Sequence, residues 1–178
     1  MTVESTPVAD MADHRALRSI LGVFATGVTV LTVGGEVPHG MTANSFTAVS
    51  LDPPLVLFCV GREALMHSVL LTAPAFGVSV LAADQEPVAR YFANRHRPVG
   101  VDEFASVDWL PGTQTGAPLI VGAAAHFECV PWRTYDGGDH TIFLGRLLAA
   151  DSVLDEDALL FLRGRFHHLR SAPSDVTA

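Results

Sequence analysis

Residues 38–54, PHGMTANSFTAVSLDPP, gather small hydroxyl and amide side chains, with no basic residue other than His39 and no acidic residue before Asp52. Read as a strand, Met41, Ala43, Ser45, Thr47, Val49 and Leu51 share one face, and Thr42, Asn44, Phe46, Ala48 and Ser50 share the other. Short side chains let a backbone lie close to something flat, and Gly40 at the entrance permits the same approach. The chemistry this suits is a flavin ring, whose carbonyls and N3–H need neutral donors and acceptors. The same residues also describe an ordinary strand and turn closed by Asp52-Pro53-Pro54, and local chemistry alone favours that plainer reading.

Other reactive residue types give little by themselves. Cys59 and Cys129 lie far apart in apolar runs, which predicts buried thiols and not a disulfide framework. The eight histidines lack ligand spacing, and the adjacent pair His167-His168 would point to opposite faces of a strand, so no metal site is expected. Gly22 and Gly27 have the spacing of a phosphate loop, but Val28 stands where lysine is required. There is no G-x-G-x-x-G, so a nicotinamide cofactor would not be held by a Rossmann crossover. There is also no G-x-S-x-G nucleophile elbow.

The elements that must position these residues are mostly strands. The 178 residues are 49% hydrophobic and 17% charged, enough for one domain with a sizeable core and, at that apolar content, for a buried subunit interface. A formal charge of −8 without a basic cluster argues against nucleic acid and against an anionic membrane surface. The start, MTVESTPVAD, lacks a basic n-region and an apolar h-region, and no apolar run is long enough to span a bilayer, so a soluble cytoplasmic protein is expected. Residues 1–9 and 171–178 read as disordered tails around one domain over 10–170.

Asp10 is predicted to cap a helix running to about Phe24, with Leu17, Ile20, Leu21 and Phe24 as one buried stripe. Residues 28–33 (VTVLTV) predict a strand, and Gly34-Gly35 a two-residue hairpin. Residues 55–60 and 76–81 read as strands, and residues 62–72 as a short helix. Asp84 begins a helix with Pro87 in its first turn. Residues 95–118 are irregular, and a loop that long is functional or covers something. Residues 119–125, 126–132, 141–149 and 159–166 read as further strands. Strands separated mostly by turns, with a few short helices, predict a mainly β antiparallel barrel or sandwich with peripheral helices.

TGVTVLTV, PHGMTANSFTAVSLDPPLVLFCV, FGVSVL and GGDHTIFLG occur in that order, and together they resemble the short-chain flavin reductase family. These are NAD(P)H-dependent reductase components of two-component flavin monooxygenases. The resemblance covers residues 17–166, and its texture is similar to members serving antibiotic and aromatic-metabolite pathways in actinomycetes. It implies an antiparallel split β-barrel of the FMN-binding type forming a homodimer. It also implies hydride transfer from NADH, with NADPH less expected, to FAD or FMN. Reduced flavin would then diffuse to a partner monooxygenase. Two other readings remain open: a flavoprotein on the same barrel that keeps its flavin and acts on its own substrate, and a non-catalytic flavin-binding dimer.

Carried over by residue, the resemblance implies that Gly40, Met41, Thr42, Ala43, Asn44 and Ser45 contact the flavin ring, followed by Cys59, Val60 and Gly61. Cys59 reads as a strand residue in preference to a redox thiol. Many members place a Ser/Thr and an Arg on the flavin phosphate just before the position of His67. This chain has Ala64-Leu65-Met66-His67, which leaves that role to Arg62, His67, Ser68 or backbone N–H groups. Arg90 and Tyr91 match a further flavin-contacting pair, or equally a solvated Arg and a core Tyr. Gly138-Asp139-His140 matches a block beside nicotinamide and flavin, with a plain hairpin turn as its alternative. Phe161, Arg163 and Gly164 match the F-x-R-G block near the NADH site, Arg163 being a candidate for the pyrophosphate or ribose, or else part of an outward strand face. Arg95-His96-Arg97 is a basic cluster for phosphates or a solvated loop.

Overall fold

Residues 28–33 show how the sheet is built. β-branched side chains suit a pleated strand, and every residue of the strand Thr29–Val33 is buried, so both of its faces are covered. The computed structural model describes residues 10–153 and 156–168; both expected tails lie outside them. In chain order the elements are α1 (His14–Leu21), β1 (Thr26–Gly27), β2 (Thr29–Val33), β3 (His39–Ala43), β4 (Thr47–Leu51), β5 (Pro54–Gly61), α2 (Leu65–Thr72), β6 (Phe76–Val80) and α3 (Glu86–Ala93). A 3-10 helix (Gly100–Phe104) follows, then β7 (Trp109–Pro111), β8 (Pro118–Ile120), β9 (Ala125–Gly137), β10 (His140–Ser152), β11 (Leu159–Leu162) and β12 (Arg165–His168). The protein is mainly β, and its strand pairs are antiparallel.

Seven strands form the main sheet in the order β3-β2-β6-β9-β10-β5-β4. The sheet is not closed by a ladder, since β3 and β4 are its edges. The segment after β3 nevertheless meets β5. Ser45 Oγ accepts from the Cys59 N–H at 2.9 Å and donates to the Cys59 carbonyl at 3.1 Å. One core lies against α2, where Phe58 packs edge-on to Phe76 at 5.3 Å and stacks with Phe143 at 5.8 Å. The other lies under α3 and the 3-10 helix, with Phe92 and Phe104 over Val28, Val30, Leu81 and Leu159. Residues 95–118, expected to be irregular, contain the 3-10 helix and β7, and through Phe104 and Val107 they cover the second core.

Several expectations are corrected. Residues 38–54 form two strands and not one, because the chain leaves β3 after Ala43 and crosses to the opposite sheet edge, where β4 pairs with β5. Leu51 ends up 94% exposed. The first helix starts at His14, where Asp13 Oδ1 accepts from Arg15 and Ala16 N–H groups, while Asp10 makes only a local turn onto Ala12. Its apolar stripe is uncovered, with Ile20, Leu21 and Phe24 at 48%, 65% and 77% exposure, since none of the described elements packs over it. The β2–β3 connection spans residues 34–38 and is longer than a two-residue turn.

Residues 119–125 split between β8, which pairs with β7, and the start of β9. Residues 159–166 are two strands, because Arg163 and Gly164, at φ 51° and 75°, form a tight turn between β11 and β12. Conversely, β9 and β10 run on to a two-residue turn of Gly138 and Asp139, with Gly138 at φ 76° as such a turn needs at its first position. No helix among the described residues is long and apolar enough to cross a membrane.

Candidate functional site

The outer edge of β3 is the floor of the site. β3 pairs with β2 alone in the sheet, so alternate residues send both N–H and C=O to its unpaired side. At Gly40 these groups are taken by side chains: the N–H donates to Glu103 Oε1 at 3.2 Å, and Arg97 Nη2 donates to the carbonyl. Two residues on, Thr42 repeats the orientation. There the edge borders a groove of about 580 Å³ whose floor is residues 41–45. Cys59 and Gly61 at the end of β5 line it, with Arg62, Glu63 and Ala64 following. Asp139 and His140 border it from the β9–β10 turn, and Arg18 and Arg95 reach it from α1 and from the loop after α3. Three of the chain's 11 basic residues therefore meet one groove in a protein of charge −8. A second cavity of about 420 Å³ continues it, sharing Met41, Thr42, Glu63, Ala64 and Arg95 and adding Met66 and Phe92.

The side chains on the floor are not interchangeable. Thr42 Oγ1 donates to the Ala89 carbonyl at 2.7 Å, which ties it to α3 and leaves its backbone for the groove. Thr29 Oγ1 donates to the Ala43 carbonyl at 2.9 Å and fixes the end of β3. Gly40 has a different reason from the one expected. A Cβ there would sit 2.6 Å from Phe92 Cε1, so the glycine admits the Phe92 ring, and Gly40 does not itself line the groove. Along β5, Cys59 and Gly61 are half-buried and line the groove, while the alternation of the strand turns Val60 into the core, so Val60 does not line it as expected. Both cysteines are free thiols. Burial pushes the Cys59 thiol up, and burial with the neighbouring Glu128 charge pushes Cys129 up to about 12, so neither is primed as a thiolate.

The β9–β10 turn is held from the β5 side. Arg62 Nε donates to the Gly138 carbonyl and Nη2 to Asp136 Oδ1, both at 2.8 Å, and the Arg62 N–H donates to the Asp139 carbonyl at 3.0 Å. The Gly138 N–H and the Arg62 guanidinium hold Asp136 below the usual carboxylate range. His140 Nδ1 lies 2.8 Å from Asp139 Oδ1, a hydrogen bond that lowers the Asp139 carboxyl in turn. The other face of the imidazole, at Nε2, looks across at Gly61.

The remaining sequence candidates sit elsewhere. His67 Nε2 is 2.8 Å from Thr141 Oγ1, beside a small depression that also contains Arg62 and Tyr135. Ser68 Oγ donates back to the Leu65 carbonyl within α2. Arg90 pairs with Glu86 and lies over the Phe166 ring at 5.0 Å, and the Tyr91 hydroxyl donates to the Glu103 carbonyl at 2.7 Å. Phe161, Arg163 and Gly164 belong to the separate β1-β11-β12 sheet, where Arg163, Arg165 and His167 border a different cavity with Val23. The Arg95-His96-Arg97 cluster divides: Arg95 lines the groove, His96 is exposed, and Arg97 is buried on Glu103. Glu103 carries no sequence signal, since its partners His39 and Gly40 lie about sixty residues away and are joined to it only by the fold. It is fully buried, which alone would raise its pKa, but hydrogen bonds and charge from His39 and Arg97 hold it below the ordinary value.

A family model described as flavin reductase like domain matches residues 21–170. An NADH-dependent FAD reductase of Streptomyces globisporus is 56% identical over 166 residues, covering 93% of this chain and 90% of that protein. The solved NADH:FAD oxidoreductase of S. globisporus C-1027, in complex with NAD and FAD fragments, superimposes with a TM-score of 0.88 at 53% identity, over 96% of this chain and all of that one. BorF, the flavin reductase component of a bacterial two-component tryptophan halogenase, superimposes with a TM-score of 0.86 at 57% identity, over 90% of this chain and 100% of its own.

Proposed function

The chain belongs to the flavin reductase like domain family, and on that premise we propose that it is an NADH-dependent flavin reductase supplying free reduced flavin to a partner monooxygenase. The observation that carries this reading is the meeting of the β3 edge with His140 across Gly61 in one groove. Hydride passes from nicotinamide C4 to flavin N5, which demands stacking and alignment more than any general base. The groove supplies what that needs. Backbone donors and short neutral side chains along residues 41–45 meet the ring, and they place no permanent anion beside the edge where negative charge develops. Asp139 orients His140, whose Nε2 faces Gly61 and is set to align the nicotinamide.

The flavin phosphate has a place although the Ser/Thr and Arg of many relatives are missing. α2 begins at Leu65, and Ala64 offers no side-chain cap, so first-turn N–H groups remain for an anion beside Arg62 and Arg95. The connected cavity beyond gives room for the longer tail of FAD as well as for FMN. A split β-barrel accounts for the open sheet drawn together by Ser45. A homodimer accounts for the bare apolar surface of Leu21, Phe24 and Leu51. The protein is read as one domain over residues 10–170 working in the cytoplasm.

The test is steady-state NADH and NADPH oxidation by purified protein with FAD or FMN. Flavin-stimulated oxidation of NADH is expected, and its absence with both flavins would sink the reading. Within it, His140→Ala should raise KM for NADH about tenfold with KM for flavin within twofold, the loss of one aligning contact at roughly 1.4 kcal/mol. Equal changes in both constants, or none, would remove His140 from the nicotinamide side.

A further inference from the structure

We propose that Glu103 is a positioning residue that sets flavin affinity without touching flavin, by fixing the unpaired edge of β3 through His39 and Arg97. This inference rests on the flavin reductase reading of the groove. Glu103 and the side chains of His39 and Arg97 are nearly or fully buried, at 0%, 8% and 8% exposure. The two carboxylate oxygens divide their partners. Oε2 lies 2.8 Å from His39 Nδ1; Oε1 accepts from Arg97 Nε at 2.5 Å and from the Gly40 N–H at 3.2 Å. Arg97 spends the rest of its guanidinium on backbone, Nη1 donating to the Asn94 carbonyl at 2.6 Å and Nη2 to that of Gly40.

The pair therefore occupies both outward backbone groups of Gly40, the position immediately before the part of the edge that borders the groove. It also clamps the loop after α3, which carries Arg95 into the same groove. A buried ion pair is a poor device for stability alone, because apolar packing of similar volume serves as well. What it offers here is position. Directional bonds fix where the β3 edge lies relative to Arg95 and to the start of α2, and those are the surfaces that must fit one ligand. The nicotinamide-facing turn is anchored separately, by Arg62. Loosening Glu103 should thus be felt by flavin and hardly by NADH.

Flavin binding is measured by quenching of protein fluorescence with FAD and with FMN, alongside KM for both substrates and the melting temperature. In Glu103→Gln one amide oxygen cannot serve His39 and the Arg97–Gly40 side together. Its flavin Kd is expected to rise at least tenfold while KM for NADH stays within twofold. Arg97→Lys keeps a cation beside Glu103 but cannot span the Asn94 and Gly40 carbonyls at once. Because Arg97 also lines the second cavity, which the FAD tail would enter, the same split is expected with FMN as with FAD, and on the FMN measurement this variant stands in if the first does not fold. A lowered melting temperature with flavin Kd within twofold of wild type in both variants would overturn the proposal and leave the cluster a structural one. Parallel rises for flavin and NADH would also overturn it. Wild-type protein that neither binds nor reduces flavin would instead defeat the functional reading.

Discussion

Glu128→Ala is expected to destabilise the protein by about 2–4 kcal/mol at neutral pH, measured by urea unfolding. Glu128 is 5% exposed and lies in β9. It accepts from the Gln114 and Thr115 N–H groups at 2.8 and 2.7 Å, from Thr115 Oγ1 at 2.8 Å and from Thr113 Oγ1 at 3.3 Å. Removing it strands donors that cost roughly 1–3 kcal/mol each when buried, discounted here because Thr113 and Gln114 are themselves exposed. Burial alone would raise the Glu128 pKa, but those hydrogen bonds outweigh it and hold the group below 4.5. A depressed folded pKa means the contribution is complete above the unfolded value and is lost as pH falls through the folded one. The wild-type and variant stability curves should therefore run parallel near neutrality and converge below about pH 4.5.

A second observation sharpens the test. A Cβ on Gly112 would lie 2.4 Å from Glu128 Oε2 and 2.8 Å from Thr115 Oγ1, so Gly112→Ala should be costly in wild type and cheaper once Glu128 is gone and the Thr115 hydroxyl is free to turn away. Additive effects, or a loss below about 1 kcal/mol for Glu128→Ala, would show that the 112–116 turn does not depend on the carboxylate. The turn leads into β8, bonded to β2 through Thr32 and Pro118, and it shares no residue with the flavin groove.

Sheet composition was legible where one physical cause dominated. The β-branched run of β2 and the apolar runs of β5 and β6 are strands in the sequence and in the structure; β2 and nearly all of β6 are buried on both faces, while β5 buries one face and leaves the other half-buried. The stretch over 38–54 was misread because its alternation continues through residues 44–46, where the chain crosses between sheet edges; period-two spacing cannot show that pairing has changed partner. The α1 stripe was legible as an apolar face but not as one this chain leaves bare.

The hairpin inside residues 159–166 is marked in the sequence only by Gly164, because the other residue of its turn is an arginine, a type that rarely adopts positive φ. Site residues follow the same division. Residues 41–45 are contiguous in sequence, and the fold keeps them together along one groove. The link of Arg97 to Glu103 has no such cue, because a basic loop residue and a lone Glu acquire that meaning only when the fold sets them against His39 and Gly40.

Gly61 allows a graded test of where the flavin sits. Its ideal Cβ would meet His140 Nε2 at 3.6 Å and ring carbons at 3.9 Å, which is ordinary van der Waals contact. Gly61→Ala should accordingly fold with stability within about 0.5 kcal/mol of wild type. Gly61→Leu sends three further carbons into the space between His140 and the β3 edge, the space assigned to stacked flavin and nicotinamide. Displacing reacting rings by an ångström costs on the order of a hundredfold. The leucine variant is therefore expected to lose about a hundredfold in kcat/KM for flavin with a melting temperature close to that of the alanine variant. Because the substitution crowds the ring site directly, this loss should exceed that of His140→Ala, which removes one alignment contact. A Gly61→Leu protein reducing flavin within threefold of wild type would put the hydride-transfer site somewhere other than this groove.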